Sequence, residues 1–340
     1  MTKRDLIQEI QEKNERAKRL YLHGHIELYS IERSARDLTD ADRTLLALHV
    51  MGMAACIEVS VREAIKRLID SGSPYLDRAQ AFKDHMRFDF NLTKALSTRQ
   101  ITFGDLVAHS LPVSNLGHIA SHIEVLCSDG SKKFQSILAG LREFVEPDVF
   151  GESDEASQEA PQLVADAKRL CEDVSSIFEL RHLVAHEASF SSVTYEVFVC
   201  LLESSREFVK ALYELVEQNV HPKRSRNGFG QSIQYMEEAQ KVAISVSELA
   251  GLIRGRLEER AGDDRQALEK FDLAAEAFES YFSAEESLWL AAHQTISGNA
   301  MRNIEARVTL GTHSHRLEML RELDDLTKPY IPANEVQGDE

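Results

Sequence analysis

Three side chains suited to phosphate chemistry lie within six residues of the chain, at Arg181, His182 and His186. A histidine can accept or donate a proton at physiological pH. An arginine keeps its charge and offers a planar fork of donors to two phosphate oxygens. Together these groups could bind an RNA phosphodiester, move protons and stabilise the charge that develops on phosphorus. That chemistry requires no metal, because the ribose 2′-OH supplies the nucleophile.

A long amphipathic helix is predicted to position these residues. Apolar side chains recur upstream at steps of three and four, as expected for a helix with one apolar stripe. His182 and His186 are one turn apart and share a face, whereas Arg181 is rotated off that face but has a long side chain. The apolar residues are Leu170, Val174, Ile177, Phe178 and Val184.

Two other interpretations of this segment stay open. Cationic side chains are favourable near the C-terminal end of any helix, whatever the function. His182 and His186, with Glu187, could also present ligands to zinc. However, the order is HxxxHE instead of HExxH, and no third ligand is evident. We therefore predict neither a metal nor a cofactor at this site.

A second helix is expected to lie at the centre of the fold. It should begin at Thr39 or Asp40 and run to about Ile69, with apolar residues on several sides. The charged residues in such a helix need partners if they are buried. Glu58 is therefore a candidate to orient the arginine or histidine of the other helix, and a solvated outer face is the alternative.

Composition predicts an all-α protein. The chain has 340 residues, 43% hydrophobic and 28% charged, with only 7 prolines and 16 glycines. Such values are typical of globular proteins with one large or two medium domains. No apolar run looks long enough to cross a membrane, and the first residues do not resemble a signal peptide. We therefore expect a soluble, cytoplasmic protein that does not bind membranes.

The net charge of −17 disfavours generic binding to nucleic acid. An RNA substrate would have to be held by a local cationic cleft. The one basic cluster contains Lys223, Arg224 and Arg226, within a stretch (residues 221–232) that is predicted to be a linker between domains. These three residues could also steer phosphates.

Four domain segments are predicted along the chain. Residues 1–220 form a helical bundle, 221–232 the basic linker, 233–328 a smaller unit of three helices, and 329–340 a disordered tail. The acidic segment Glu146–Pro161 is predicted to be a loop.

His118 and His122 are interpreted as histidines on a helix surface. The four cysteines are expected to be reduced and buried; they are Cys56, Cys127, Cys171 and Cys200.

The stretch Arg181-His182-Leu183-Val184-Ala185-His186 resembles the Rx4-6H signature of the HEPN superfamily. The flanks match as well, with an apolar run before the motif and a polar break followed by another helix. The N-terminal segments AACIEVSVREAIKRLIDSGSPYL and TRQITFGDLVAHSLPVSNLGHI resemble the RiboL-PSP-like subgroup. The resemblance covers roughly residues 1–220.

This resemblance implies a helical bundle that forms a homodimer, with two motifs facing each other across a cleft. It implies a metal-independent endoribonuclease of a toxin-like or antiviral defence system, in which Arg181, His182 and His186 are catalytic. The products would carry a 2′,3′-cyclic phosphate and a 5′-OH. An antitoxin or a phage-derived trigger would be a further partner. Other HEPN proteins have lost catalysis, so a non-catalytic interaction or regulatory protein is the alternative, which the acidic composition favours.

The C-terminal helices resemble the N-terminal domain of LprI-like proteins. The matching features are Phe278, Tyr281, the turn Ser297-Gly298 and a final helix with Arg316 and Leu317. Secreted members of that family carry disulfide cysteines, which this segment does not have. The resemblance therefore implies a cytosolic sensor or interaction module instead of a lysozyme inhibitor.

Overall fold

The structure, a computed structural model, confirms the all-α prediction. Within its described residues no strand forms, and one isolated antiparallel bridge joins Arg142 and Gln162. The chain divides into two compact units, one of Met1–Val145 with Ala156–Pro222 and one of Glu146–Glu155 with Lys223–Glu340. The described residues are 6–18, 23–147, 160–260, 265–293 and 295–328.

Helices of the first unit differ widely in length, and short 3₁₀ turns at Asp40–Asp42, Ala79–His85 and Phe190–Ser192 connect some of them. In chain order the helices are α1 (Leu6–Lys18), α2 (His23–Ala35), α3 (Arg43–Asp70), α4 (Tyr75–Arg78), α5 (Phe90–Ser97), α6 (Phe103–Ser110), α7 (Leu116–Ser128), α8 (Phe134–Ala139), α9 (Ala167–Glu187) and α10 (Tyr195–Val220).

Helix α3 lies at the centre of the first unit, where it packs against α2, α6, α9 and α10. Thr39 and Asp42 form a capping box in front of it. The Thr39 hydroxyl accepts a hydrogen bond from the Ala41 amide, and the Asp42 carboxylate accepts one from the Thr39 amide. Twelve of the 28 residues of α3 are buried, among them Leu46, Ile57 and Ile65. The wide apolar surface seen in the sequence therefore contacts neighbours on several sides.

The prediction that no apolar run could cross a membrane is wrong for one helix. Residues Asp40–Asp70 are long and apolar enough to do so by length and composition alone. Here 44% of the apolar window is buried against other helices of the unit. The core helix of a soluble protein passes the same test of length and composition, so this helix is weak evidence for a membrane span and the fold is compatible with a soluble protein.

Gly24 allows α2 to approach α3 closely. A Cβ atom at this position would lie 2.2 Å from the Ser60 side-chain oxygen and 2.9 Å from the Cys56 carbonyl oxygen. These distances are shorter than van der Waals contact, so a larger residue would push the helices apart. The glycine therefore lies inside a helix–helix contact, in the first turn of α2.

A charged stripe runs along α3 at steps of four residues, through Glu58, Arg62, Lys66 and Asp70. Arg62 donates hydrogen bonds to three carbonyl oxygens at the C-terminal end of α6; they belong to Ala108, His109 and Leu111. Burial lowers the pKa of Arg62, whereas the nearby carboxylates of Glu58 and Glu9 act in the opposite direction. An arginine stays charged after such a shift, so it complements the negative end of the α6 dipole.

The other half of the stripe holds the N-terminal end of α6. Asp70 accepts hydrogen bonds from the Gly104 amide, at 2.9 Å, and from the Thr102 hydroxyl, at 2.7 Å. Lys66 contacts the carboxylate of Asp105 at 2.8 Å. Burial alone would raise the pKa of Asp105, but the hydrogen bonds from Lys66 and Thr102 outweigh it and hold the pKa below its ordinary value. The stripe thus fixes both ends of α6 against α3.

Two expectations about buried side chains are wrong. His122 is not a surface histidine: it is 6% exposed, its Nε2 lies 2.8 Å from the Pro112 carbonyl oxygen and its ring contacts Phe82. Burial lowers the pKa of His122 and favours its neutral form. Cys200 is exposed, and Cys127 is only half-buried, whereas Cys56 and Cys171 are buried as expected.

Three long helices make up most of the second unit. Their common core is small, with five buried residues; these are Val246, Ile253, Phe271, Leu317 and Leu320. The helices are α11 (Gly228–Arg260), α12 (Gln266–Ala292) and α13 (Asn299–Thr327).

Helix α11 begins inside the stretch predicted as linker, because the residues before it form a capped turn. The Asn227 side chain accepts a hydrogen bond from the Gly230 amide at 2.6 Å and donates one to Glu146 at 2.7 Å. The predicted tail, 329–340, and most of the predicted acidic loop, 148–159, lie outside the described residues.

Replacement of Arg62 tests the role of the charged stripe. We expect Arg62→Met to lower the free energy of unfolding by about 2–4 kcal/mol, because three carbonyl groups lose a charged donor in a partly buried setting. Urea unfolding followed by circular dichroism measures the change.

The matched control is Arg206→Met, since Arg206 is exposed and pairs with Glu32 at 3.0 Å. An exposed ion pair contributes about 0–1 kcal/mol. Equal losses in the two variants would contradict the special role of Arg62.

Candidate functional site

Helix α9 carries the site and owes its position to its apolar face. The Asp166 side chain caps its first turn by accepting hydrogen bonds from the amides of Lys168 and Arg169. Seven residues of the helix are buried, including Leu170, Ile177 and Val184. Residues one turn apart on the opposite side are consequently left facing outward.

His182 and His186 are both exposed at the C-terminal end of α9. Their ring centroids are 4.7 Å apart with an angle of 47° between the ring planes. Val184, halfway between them in sequence, is 3% exposed and packs into the core. Neither imidazole is enclosed by apolar side chains, so both can be reached by a large substrate.

An ion pair with α3 orients Arg181. Its Nη1 atom lies 2.6 Å from the Glu58 Oε1 atom, and the two residues are 123 positions apart in the chain. The side chains are 36% and 22% exposed, so the pair is neither fully solvated nor deeply buried. This contact engages one terminal nitrogen of the guanidinium, which is a planar fork with further donors. Arg181 is thus held in place while its outer side stays accessible.

The motif residues line an open cavity of about 790 Å³. Arg181, His182 and His186 contribute to its wall together with Ser114 and Asn115, which stand at the start of α7. The Asn115 side-chain oxygen caps that helix by accepting from the His118 amide at 2.8 Å. No pattern in the sequence connects Ser114 or Asn115 with the motif. Only the capping pattern was visible in the sequence, because the pairing of α7 with α9 is a long-range contact.

Ala188 ends the helix directly behind the site. Its φ of 53° lies in the left-handed region, which favours glycine. Its amide donates to the Leu183 carbonyl oxygen and closes the last turn. The chain therefore turns away immediately after Glu187, and the imidazole of His186 stays at the exposed tip.

The remaining predicted site residues are not among those that line this cavity. Glu187 is exposed at the last position of α9. Lys223, Arg224 and Arg226 belong to the second unit and contact residues of that unit. The Arg224 guanidinium lies 4.6 Å from the centre of the Tyr235 ring. The Lys223 carbonyl oxygen accepts a hydrogen bond from Gln234, and the Arg226 amide donates one to Glu146.

Within the described residues, no group of three or more His, Cys, Asp or Glu side chains is arranged to hold a metal ion. The pair His182 and His186 with Glu187 therefore does not form such a group.

Substitution of Ala188 tests the geometry of the helix end. We expect Ala188→Gly to raise the free energy of unfolding by about 0.5–1 kcal/mol, because glycine adopts a positive φ without the clash of a Cβ atom. Ala185→Gly is the matched control, since residue 185 is helical and exposed. The control should lose about 0.5–1 kcal/mol. Thermal unfolding of both variants measures the effects, and destabilisation by Ala188→Gly would contradict the assigned backbone conformation.

Comparisons of the chain with protein-family models, curated proteins and solved structures found no match. What can be said about the function of this cavity therefore rests on its own geometry and chemistry.

Proposed function

We propose that the chain is a metal-independent endoribonuclease of the HEPN type, acting in bacterial antiviral defence or in a toxin-like system. One observation carries the proposal: a guanidinium and two exposed imidazoles line the same open cavity, and Glu58 on a neighbouring helix holds the guanidinium. A cation that binds phosphate beside a group that moves protons is the minimum set for cleaving RNA.

In the proposed reaction the ribose 2′-oxygen attacks the adjacent phosphorus and the bond from phosphorus to the 5′-oxygen breaks. A proton leaves the 2′-hydroxyl, and a proton reaches the departing 5′-oxygen. The products are a 2′,3′-cyclic phosphate and a 5′-hydroxyl. His186, at the tip of α9, is the proposed general acid or base. His182, whose ring is 4.7 Å away, assists or fixes its geometry.

Arg181 is the proposed phosphate-binding group. Its charge would stabilise the extra negative charge on the phosphorane oxygens, where a planar fork of donors fits two oxygens at once. The carboxylate of Glu58 partly offsets the positive charge in the ground state. The contact engages one terminal nitrogen only, so the proposed role of Glu58 is to position the guanidinium.

The proposed enzyme acts as a homodimer with two copies of the cavity facing each other through an isologous contact. A second set of Arg181 and His186 would add the cationic charge that this acidic chain, with net charge −17, otherwise provides poorly. Lys223, Arg224 and Arg226 are proposed to contribute further phosphate contacts. The C-terminal unit is proposed to regulate activity or to recognise a trigger.

Removal of the imidazole at the helix tip tests the proposal. We expect His186→Ala to lower the rate of RNA cleavage by about 10²–10⁴-fold, because the variant lacks the proposed general acid or base. Arg181→Ala should lose about 10²–10³-fold through weaker stabilisation of charge. The measurement is cleavage of a labelled RNA in EDTA, with His25→Ala as an exposed histidine control from α2.

Loss of wild-type cleavage in EDTA would favour a metal-dependent mechanism instead. Full activity of His186→Ala would remove the residue from catalysis.

A second prediction concerns Glu58. We expect Glu58→Ala to lower kcat roughly 10–100-fold, because a guanidinium that is not held in place aligns poorly with the reacting phosphate. Glu58→Gln should restore most of the rate, since its amide oxygen can still accept the hydrogen bond. Single-turnover kinetics separates this effect from substrate binding.

Glu32→Ala is the matched control, because it breaks the exposed ion pair with Arg206. Equal rates for wild type and Glu58→Ala would exclude the positioning role.

A non-catalytic helical interaction or regulatory protein of a defence system is the second candidate function. The net charge of −17 favours it, because an acidic surface repels RNA outside a local cleft. Expression toxicity distinguishes the two candidates. Growth inhibition by wild type but not by Arg181→Ala supports the nuclease, and equal growth of both strains supports the interaction protein.

A further inference from the structure

Helix α12 is the least buried long helix of the second unit. Of its 27 residues only Phe271 is buried. The contact with α13 is made around His313, whose ring lies 5.5 Å from the Phe278 ring and 4.8 Å from the Phe282 ring, between centroids. These aromatic residues share one face of the helix, and Asp272 on another side pairs with Arg254 of α11 at 2.9 Å. The side that carries Tyr281 and Leu288 is exposed.

A second apolar stripe runs along that open side. Its residues recur at steps of three and four, which is the seven-residue pattern of helices that pack side by side. All of them are exposed, and the two large ones, Tyr281 and Leu288, are 54% and 61% exposed. We call this set the α12 seam; it consists of Ala274, Ala277, Tyr281, Ala284, Leu288 and Ala291.

Helix α13 lies beside the seam, and the two helices form a groove between them. A cavity of about 530 Å³ is lined by Ala274, Ala277 and Tyr281 of α12, and by residues of α13 that include Gly311 and Met319. Nothing lies within 4 Å of the place where a Cβ atom of Gly311 would be. A glycine inside a helix costs about 1 kcal/mol relative to alanine. Among the described residues no contact accounts for Gly311, and the same holds for Gly251 and Gly255 on α11; the close approach of another helix would account for it.

The exposed apolar area matches an interface of ordinary size. Leu273, Tyr281, Leu288 and Met319 are each between 51% and 66% exposed. Side chains of this size leave on the order of 100 Å² each at that exposure, or about 400 Å² together. A standard interface buries about 800 Å² per partner, of which somewhat more than half is apolar. The largest apolar patch on a typical monomer is of this size and is often functional.

The charges beside the seam are self-complementary. Helix α12 carries six carboxylates and one lysine, whereas α13 carries three arginines and one carboxylate up to Leu317, and one arginine and four carboxylates after it. Arg316 lines the groove and its guanidinium lies 5.4 Å from the Phe278 ring centre. An acidic helix therefore fits against the basic side of the same groove in another copy.

We propose that the α12 seam is an interface with a second copy of this chain. The two α12 helices pack antiparallel, so that each lies in the groove between α12 and α13 of the other copy. Tyr281 and Leu288 fill the groove beside the small alanines, and the acidic side of α12 faces Arg316 and His315 of the partner copy. The contact is isologous, and it does not depend on the nuclease proposal.

The test uses site-specific cross-linking in the full-length chain. Cys200 is replaced by Ser, since it is the exposed cysteine. Burial raises the pKa of Cys127 to about 12 and those of Cys56 and Cys171 to about 11, so these thiols react slowly. Ala284→Cys is then added at the middle of the seam and treated with a short bis-maleimide. We expect a covalent dimer on a denaturing gel.

Ser283→Cys is the matched control, because the neighbouring position is also exposed but points about 100° away from the seam. It should give at least tenfold less covalent dimer. Adding Leu288→Glu to the Ala284→Cys chain should lower the cross-linking yield at least tenfold, whereas Ile244→Glu, at a residue 50% exposed on α11, should not. Circular dichroism checks that each variant is folded.

Three results would overturn the proposal: no covalent dimer with Ala284→Cys, equal yields at positions 283 and 284, or a yield that Leu288→Glu leaves unchanged. Because the readout is local to α12, a dimer formed only through the cavity of the first unit would give one of these negative results. The test therefore separates this interface from the contact proposed for catalysis.

Discussion

The arrangement of the first unit depends on the need to pair charged groups on a central helix. Helix α3 is apolar on several sides, yet it carries Glu58, Arg62, Lys66 and Asp70 one turn apart. Charged groups that leave water must find partners. Arg62 binds one end of α6, Lys66 and Asp70 bind the other end, and Glu58 binds Arg181 on α9. One stripe of side chains thus sets where two further helices lie.

The same stripe gives the candidate site its character. The apolar face of α9 anchors the helix, Glu58 orients Arg181 at the edge of that face, and the imidazoles stand on the far side in solvent. One side of α9 therefore packs into the core, and the opposite side exposes the imidazoles to solvent. For the proposed function, such a division would provide a preorganised cation without burying the imidazoles that are proposed to exchange protons with a substrate.

The second unit buries less of its apolar surface than the first unit does. The first unit buries most of its large apolar residues around α3, whereas in the described part of the second unit the core cluster shared by the three helices has five buried residues. Long helices with so small a core retain little hydrophobic stabilisation of their own. Their exposed leucines, Tyr281 and Met319 are consistent with a module whose surface is completed by another polypeptide.

The sequence by itself determined the local features. Periodicity predicted α9, and the capping residue Thr39 marked the start of the central helical segment, because these signals act over a few residues. Only the tertiary structure decided which helices meet. It paired Glu58 with Arg181 across 123 residues, set Ser114 opposite the motif and buried His122. A helical stripe shows that a residue faces inward, but the partner it meets depends on the packing of the whole unit, which no local pattern encodes.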